Sequence, residues 1–265
     1  MGQRSVINLH IIGAQKSGTS ALAHFIDQHS DAFVVKGKEA HVFDNPLFLK
    51  SNTKMHWANK RFEQVLNDYQ NQTVCCDATP ITMFDTQFLT HCFNYNPQAK
   101  FIVLLRDPVQ RAISHYNMSK GRLEETLNPL LAFILESKRL KLSNSWQFNS
   151  ARRTQSYLRR GLYSKQLQTL YKIVPHKQVL VLFNEDLREN HQGTMSSVFK
   201  FLSIQDQDIP QQSVFESERQ VLKPLQKSAY AAAKLYANLY FWWHNESRKS
   251  CLKVIKHAQR YHTKK

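Results

Sequence analysis

The chain has 265 residues, of which 36 are Lys or Arg and 20 are Asp or Glu, so its formal net charge is +16 at pH 7. Such a length allows a full hydrophobic core, and the absence of Gly/Ser/Pro-rich linkers, low-complexity runs and internal repeats argues against a disordered or repeat protein and predicts one domain over residues 1–265. The residues before the first predicted strand hold no apolar stretch long enough for a signal peptide or a membrane span.

The apolar runs of the chain are short and rich in β-branched residues, and helical patterns separate them. In chain order these runs predict strands at residues 6–12, 73–76, 101–105 and 178–183. Strands that alternate with helices are typical of a parallel sheet with crossover helices. We therefore predict an α/β fold in which helices flank a central, mostly parallel sheet.

The segment after the first strand has the composition of a phosphate-binding loop. Gly13 and Gly18 allow a tight bend, and the backbone N–H groups of the following helix start, together with the Lys16 ammonium, attract an anion. The pattern differs from a Walker A loop, because Thr19 and Ser20 follow the second glycine and the lysine lies inside the loop. This difference disfavours nucleotide hydrolysis.

A second anion motif follows the strand at residues 101–105. Arg106 leaves the carboxyl end of that strand, Asp107 is a helix N-cap candidate and Pro108 a candidate first helical residue. Ser114 lies about two turns along the predicted helix, from where it and Arg106 could reach one phosphate. Two phosphate motifs at the carboxyl ends of strands of one sheet predict a bisphosphorylated nucleotide.

Together the two motifs resemble those of sulfotransferases that use 3′-phosphoadenosine 5′-phosphosulfate as the sulfuryl donor. The segment KEAHVFD at 38–44 resembles the E-x-H-F-F-D segment of the heparan sulfate type of carbohydrate sulfotransferase. Weaker similarities occur at 77–80, 159–167 and 178–187, so the resemblance spans about residues 7–203. It implies a P-loop-like, three-layer version of the predicted fold and a hydroxyl or amine acceptor on a carbohydrate, with an anionic polysaccharide and a glycolipid as the alternatives.

The resemblance also implies roles for individual residues. Glu39 would be the base that activates the acceptor, with His41 as the rival base, since histidine has the more suitable ordinary pKa. Lys16 would contact the leaving group. The groups that would hold the nucleotide are Lys16, Ser17, Gly18, Thr19 and Ser20 at the 5′-phosphate and Arg106 with Ser114 at the 3′-phosphate.

The chain departs from the heparan sulfate enzymes at two places. Residues 204–265 contain no match to the Lys-Gly-Arg loop that closes over the donor in those enzymes. Where they carry a Glu-Lys pair before Thr-Pro, this chain has Asp77 and Ala78. Lys38 is the candidate that could supply the missing charge.

Metal ligands are not predicted. The 12 histidines are scattered, and the four cysteines have neither metal-ligand spacing nor a disulfide pattern. The adjacent Cys75 and Cys76 are expected in a buried strand.

The excess of positive charge predicts an acidic partner. Basic clusters occur at residues 36–38, 138–141, 152–153, 159–160 and 248–265. A polyanionic acceptor such as an acidic polysaccharide fits both this charge and the resemblance. Nucleic acid fits the charge alone, and because no RRM or zinc-finger signature is present, no nucleic acid is expected.

Residues 228–244 predict a helix with large aromatic side chains, followed by the basic tail. One interpretation is a C-terminal helix docked on the core. The other is an aromatic, basic face that touches lipid or stacks on sugar rings.

Two other functions compete with sulfuryl transfer. A P-loop kinase or NTPase would need Mg²⁺ and a lysine after the second glycine, where Thr19 stands. A non-catalytic, basic polyanion-binding protein would explain the charge but leave the phosphate motifs without a role. Since Golgi relatives carry an N-terminal anchor, a cytoplasmic and bacterial enzyme is expected, and a lumenal one only if an anchor was trimmed.

Overall fold

The structure is a computed structural model that describes residues 6–143, 145–212 and 224–262, with side chains up to residue 260. The chain divides between two compact units, one of Met1–Arg106 and Thr169–Glu216 and the other of Asp107–Gln168 and Ser217–Lys265. The expectation of a single domain stays a prediction. The end of the predicted basic tail, residues 263–265, lies outside the described residues.

A five-stranded parallel sheet forms the centre of the first unit. Its strands are β1 (Leu9–Gly13), β2 (Ala32–Val34), β3 (Val74–Asp77), β4 (Lys100–Leu105) and β5 (Val179–Phe183). They lie in the order β2-β3-β1-β4-β5, and every neighbouring pair is parallel. The α/β prediction is confirmed, as are its four strands. The edge strand β2 was not predicted, because three residues are too short for a periodic pattern.

The helices alternate with these strands as the sequence predicts. They are α1 (Thr19–Asp27), α2 (Pro46–Lys50), α3 (Lys54–Glu63), α4 (Thr86–Tyr95), α5 (Pro108–Gly121), α6 (Pro129–Leu142), α7 (Ala151–Thr154), α8 (Tyr163–Ile173), α9 (Asn184–Glu189), α10 (His191–Leu202), α11 (Pro224–Trp243) and α12 (Arg248–His262). Helix α5 begins at Pro108, and the Asp107 carboxylate accepts a hydrogen bond from the N–H of Gln110 at 2.8 Å, as an N-cap does.

One hydrophobic core covers a face of the sheet. Leu9 and Ile11 of β1 and Ile102 and Leu104 of β4 alternate along their strands, so they point to one side, where they meet apolar residues of α1 and α10. All of these strand residues are fully buried. The core therefore fixes β1 and β4 side by side and defines the edge at which their loops begin. Cys75 and Cys76 are buried in β3, as predicted.

The second unit has a core of its own among α5, α6 and α11. Ala233, Ala237 and Phe241 of α11 are buried there. Phe241 packs against Gly161, where an added Cβ would lie 2.6 Å from the Phe241 ring. The helix predicted at residues 228–244 is thus present and docked through its small and aromatic side chains. No helix in the described parts of the chain is both long and apolar enough to cross a membrane.

Candidate active site

The segment from Gly13 to Ser20, which we call the phosphate loop, connects the end of β1 to the start of α1. The Ala14 N–H donates to the Leu104 carbonyl oxygen at 2.8 Å, so the loop begins beside the end of β4. Lys16 has φ +69° and Gly18 has φ +97°, both left-handed, which turns the backbone back toward the helix. A Cβ on Gly18 would lie 2.4 Å from Nδ2 of Asn184, so the loop leaves no room for a side chain there.

The helix end of this loop is suited to an anion. Gly18 caps α1 without a side-chain hydrogen bond, and the first turn contains no acidic residue. The N–H groups of that turn have no intrahelical acceptor, and they carry the positive end of the helix dipole. The Ser17 hydroxyl is fully buried and has no hydrogen-bond partner among the described residues. The loop therefore presents donors that a phosphate oxygen would satisfy.

The two residues predicted for the second phosphate lie in different units. Arg106 directly follows β4 in the first unit, is half-buried, and has no hydrogen-bond or ion-pair partner in the described part of the chain. Ser114 is a half-buried residue of α5 in the second unit. Their joint contact with a 3′-phosphate stays a prediction.

The predicted base and its rival belong to a charged cluster in residues 38–44, which we call the glutamate loop. Glu39 accepts a hydrogen bond from the Lys38 ammonium, and its other oxygen lies 3.2 Å from Nε2 of His41. The Nδ1 atom of the same ring lies 2.9 Å from Oδ2 of Asp44, which is fully buried. The imidazole thus bridges two carboxylates, and Glu39 is contacted by two cations.

This arrangement sets the protonation of both candidates. Burial acts to raise the pKa of Glu39, but hydrogen bonds from His41 and Lys38 and their charges outweigh it and lower the pKa overall. Burial acts to lower the pKa of His41, whereas its hydrogen bonds to Asp44 and Glu39 raise that pKa to about 10. At neutral pH Glu39 is therefore a carboxylate and His41 an imidazolium, which has no lone pair with which to accept a proton.

The glutamate loop is attached to the end of β3 by backbone and side-chain hydrogen bonds. Asp77 accepts from the Ala40 N–H at 2.9 Å and from the Thr79 hydroxyl at 2.7 Å. The Ala78 N–H donates to the Lys38 carbonyl oxygen at 2.9 Å. The glutamate loop follows β2, and β3 pairs in parallel with both β2 and β1, so the phosphate loop and the glutamate loop lie at the same edge of the sheet.

Two contributing residues were missed in the sequence. Asn184, at the start of α9, fills the space beside Gly18, and Asp77 holds the backbone of the glutamate loop. An Asp in a short Asp-x-Thr-Pro turn after a buried strand could have indicated the second, since such side chains cap local backbone. No local pattern indicates the first.

Among the described residues, no group of three or more His, Cys, Asp or Glu side chains could hold a metal ion. The expectation that no metal takes part stays a prediction.

The comparison with known families agrees with this geometry. A family model described as a sulfotransferase domain matches residues 7–250. The chain belongs to the sulfotransferase family, which confirms the resemblance identified from the sequence. The match extends past residue 203 into the C-terminal segment, which the motifs had left outside the resemblance.

Individual sulfotransferases match smaller parts of this chain. The chain is 32% identical over 129 residues to the membrane-associated sulfotransferase kil1 of Dictyostelium discoideum, a match that covers 49% of this chain and 26% of that protein. It is 25% identical over 205 residues to human heparan sulfate glucosamine 3-O-sulfotransferase 3B1, covering 77% of this chain and 47% of that protein. The chain thus spans about half the length or less of these curated relatives.

A solved structure shows the same fold. The crystal structure of a sulfotransferase from Alicyclobacillus acidocaldarius superposes with a TM-score of 0.67 at 21% identity, covering 92% of this chain and 98% of that one. This confirms the predicted P-loop-like fold, in which helices flank a central parallel sheet.

Proposed function

We propose that this chain transfers a sulfuryl group from 3′-phosphoadenosine 5′-phosphosulfate to a hydroxyl or amine of an acceptor, with a carbohydrate as the acceptor class. The observation that carries the proposal is the pairing of two loops at one edge of the sheet. The phosphate loop offers donors for an anion, and the glutamate loop offers an ionised carboxylate beside two cations.

The donor nucleotide fits the residues of the phosphate loop. Its 5′-phosphate would accept from the backbone N–H groups of Gly18 to Ser20 and from the otherwise unsatisfied Ser17 hydroxyl, since the Ser17 N–H already donates to the Ala14 carbonyl oxygen at 3.1 Å. The left-handed turn at Gly18 is compatible with the close approach of a phosphate. Arg106, half-buried at the end of β4, is proposed to hold the 3′-phosphate with Ser114.

Sulfuryl transfer replaces one S–O bond. The acceptor oxygen or nitrogen forms a bond to sulfur, while the bond from sulfur to the bridging oxygen of the 5′-phosphate breaks and leaves its electron pair on that oxygen. The acceptor proton passes to Glu39, and the Lys16 ammonium stabilises the charge that develops on the bridging oxygen. The products are the sulfated acceptor and the nucleoside 3′,5′-bisphosphate.

We propose Glu39 rather than His41 as the base. His41 is held as an imidazolium by Asp44 and Glu39, whereas Glu39 is ionised and its side chain is only 24% exposed. His41 then orients Glu39, and Asp44 orients His41. Lys38, whose carbonyl oxygen is bonded to the Ala78 N–H, is proposed to supply the positive charge that Ala78 lacks.

The acceptor class is proposed from charge and from similarity. The net charge of +16 favours a polyanionic acceptor. The human relative is, by its name, a heparan sulfate glucosamine 3-O-sulfotransferase. An acidic polysaccharide is therefore the first acceptor to test, and no nucleic acid partner is proposed. The cytoplasmic location expected from the sequence stays a prediction.

The donor site is tested by calorimetric titration of the purified chain with 3′-phosphoadenosine 5′-phosphate, adenosine 5′-phosphate, and ATP with Mg²⁺. We expect selective binding of the bisphosphate. Preference for ATP with Mg²⁺ would support a kinase or NTPase instead, and no nucleotide binding would support the polyanion-binding function.

A matched pair of variants tests the 3′-phosphate contact. Arg106→Ala should abolish the preference for the bisphosphate over adenosine 5′-phosphate, while Arg188→Ala, an equal loss of charge at an exposed residue of the same unit, should preserve it. An unchanged preference in Arg106→Ala would remove Arg106 from the site.

A further inference from the structure

Helix α11 exposes a continuous apolar face. Leu235, Leu239, Trp242 and Trp243 are 63%, 57%, 75% and 79% exposed, respectively. Their spacing of i, i+4, i+7 and i+8 places them on one side of the helix. We call these four residues the α11 apolar face. Large apolar side chains grouped in this way are typical of a surface that meets another phase or partner.

The orientation of this face is fixed by the opposite side of the helix. Ala233, Ala237 and Phe241 are at most 3% exposed, and the Phe241 ring packs on Gly161. Turning the helix to bury the apolar face would therefore expose Phe241 and open the space beside Gly161. The exposed position of Trp242 and Trp243 follows from this packing.

A basic helix follows the face without an intervening acidic surface. Lys249, Lys253, Lys256 and Arg260 recur at helical spacing in α12, which places them on one side; we call them the basic stripe. All four are exposed. Between residues 224 and 262 the only acidic residue is Glu246.

Glu246 does not offset this charge at the surface. It is 8% exposed, and its carboxylate accepts from the Ser164 hydroxyl at 2.9 Å and from the Ser164 N–H at 3.1 Å. The turn before it is a Schellman motif, in which Asn245 is left-handed and the Glu246 N–H donates to the Phe241 carbonyl oxygen at 2.9 Å. Backbone and side-chain hydrogen bonds thus stabilise the connection from α11 to α12.

We infer that α11 and α12 dock this chain on an anionic lipid surface, with the α11 apolar face at the level of the headgroups and the basic stripe against the lipid phosphates. Tryptophan and leucine side chains stabilise membrane binding when they enter the interfacial zone, and each basic residue near an anionic surface adds about 1 kcal/mol to the binding free energy. An acidic polysaccharide would engage the lysines but leave Leu235 and Leu239 in water. This inference is independent of the transfer reaction.

Co-sedimentation of the full chain with vesicles tests the inference. Vesicles of phosphatidylcholine with about 30% phosphatidylserine supply the anionic surface, and pure phosphatidylcholine vesicles are the control. We expect binding to the anionic vesicles, weakened by salt, together with a blue shift of the tryptophan emission. Equal binding to both kinds of vesicle, or no binding, would overturn the inference.

Paired variants separate the apolar contribution from the charge. Trp242→Ser with Trp243→Ser should lower vesicle binding at least about tenfold, whereas Leu47→Gln, at an exposed leucine of the first unit, should not. The double variant Lys253→Glu with Lys256→Glu, in the basic stripe, should lower vesicle binding by a similar factor. The double variant Lys172→Glu with Lys177→Glu makes an equal change of charge at exposed positions elsewhere, and it should lower vesicle binding much less. All of these positions are exposed, so folding is preserved.

Two results would assign the face to another partner. Binding to heparin that is lost in the tryptophan variant, with no vesicle binding, would make it a saccharide site. A dimer in sedimentation velocity that dissociates in the same variant would make it an interface between copies of this chain. Either result overturns the inference.

Discussion

The phosphate loop follows β1 and the glutamate loop follows β2, two strands that flank β3, so both loops lie at one edge of the sheet, yet they are built by different means. The phosphate loop is shaped by the backbone: left-handed Lys16 and Gly18, an uncapped helix start, and a buried Ser17 hydroxyl without a partner. The glutamate loop is shaped by a chain of side-chain contacts: Lys38 contacts Glu39, Glu39 contacts His41, and His41 contacts Asp44.

This difference separates binding from chemistry. Hydrogen-bond donors that have no partner in the free protein gain partners when an anion binds, so the residues of the phosphate loop should determine nucleotide affinity. In the glutamate loop the charged side chains already pair with one another and keep the Glu39 carboxylate ionised. Its residues should therefore determine turnover. Four variants test whether the two roles are in fact separate.

The largest effect is expected from Glu39→Gln. Removing the proton acceptor should lower kcat by about 10²- to 10⁴-fold, with nucleotide affinity unchanged. Turnover of an acceptor and calorimetry with 3′-phosphoadenosine 5′-phosphate measure the two quantities. Glu63→Gln, at an exposed position of α3, is the matched control. An active Glu39→Gln together with an inactive His41→Gln would make His41 the base.

Lys16→Met should lower kcat by about 10²- to 10³-fold, because a single positioned cation on a leaving group contributes about that much. Unlike Glu39→Gln, it should also weaken nucleotide binding, since the charge faces the donor in both the ground state and the transition state. Lys36→Met is the control at an exposed lysine. Loss of turnover with unchanged affinity would mean that the phosphate loop, too, acts mainly in the chemical step.

Gly18→Ala should weaken nucleotide binding about tenfold, because the strain of a left-handed alanine, about 1–2 kcal/mol, and its crowded Cβ would displace the backbone that faces the phosphate. Asn184 lies 2.4 Å from the added Cβ, so the additional change Asn184→Ala should restore part of the affinity. Gly37→Ala has the same backbone cost at φ +76° with open space around it. It should lower stability without changing nucleotide affinity, and equal losses of affinity in both variants would refute the local explanation.

The smallest effect concerns the stability of the glutamate loop. The pKa of His41 is raised from 6.5 to about 10, so its protonation stabilises the fold fully below about pH 6.5, and this contribution is lost as the pH rises through about 10. His41→Gln should therefore cost about 1 kcal/mol near neutral pH and progressively less toward pH 10, given partial exposure of the pair.

Urea unfolding at several pH values measures this difference between the wild type and His41→Gln. His56→Gln, at an exposed histidine of α3, is the control and should show no such trend. A difference that grows as the pH rises would mean that the ring is held neutral, which would return His41 to consideration as the base.

The features that the sequence predicted well are local. The phosphate loop was identified because two glycines, a lysine and a helix start lie within eight residues, and the start of α5 because Asp107 and Pro108 are adjacent. The features that were missed are contacts between distant residues. Asp77 binds the backbone of Ala40 across 37 positions, and Asn184 reaches Gly18 only after the sheet has formed.

The protonation states of Glu39 and His41 likewise could not be predicted from the sequence. Glu39 and His41 were both candidates for the base because their order along the chain does not say which groups each will contact. Only the fold places Asp44 against one ring nitrogen and Glu39 against the other. The assignment of the base to Glu39 remains a prediction until the variants are measured.

The strand order has a consequence for biosynthesis. The first strand of this sheet to be synthesised, β1, occupies its middle, and its two neighbours are β3 and β4, which are synthesised about 65 and 90 residues later. Until then its apolar side chains have no sheet in which to pack. Nascent chains that end before residue 105 should therefore be unfolded, protease-sensitive and dependent on chaperones, with protection rising sharply once β4 has emerged.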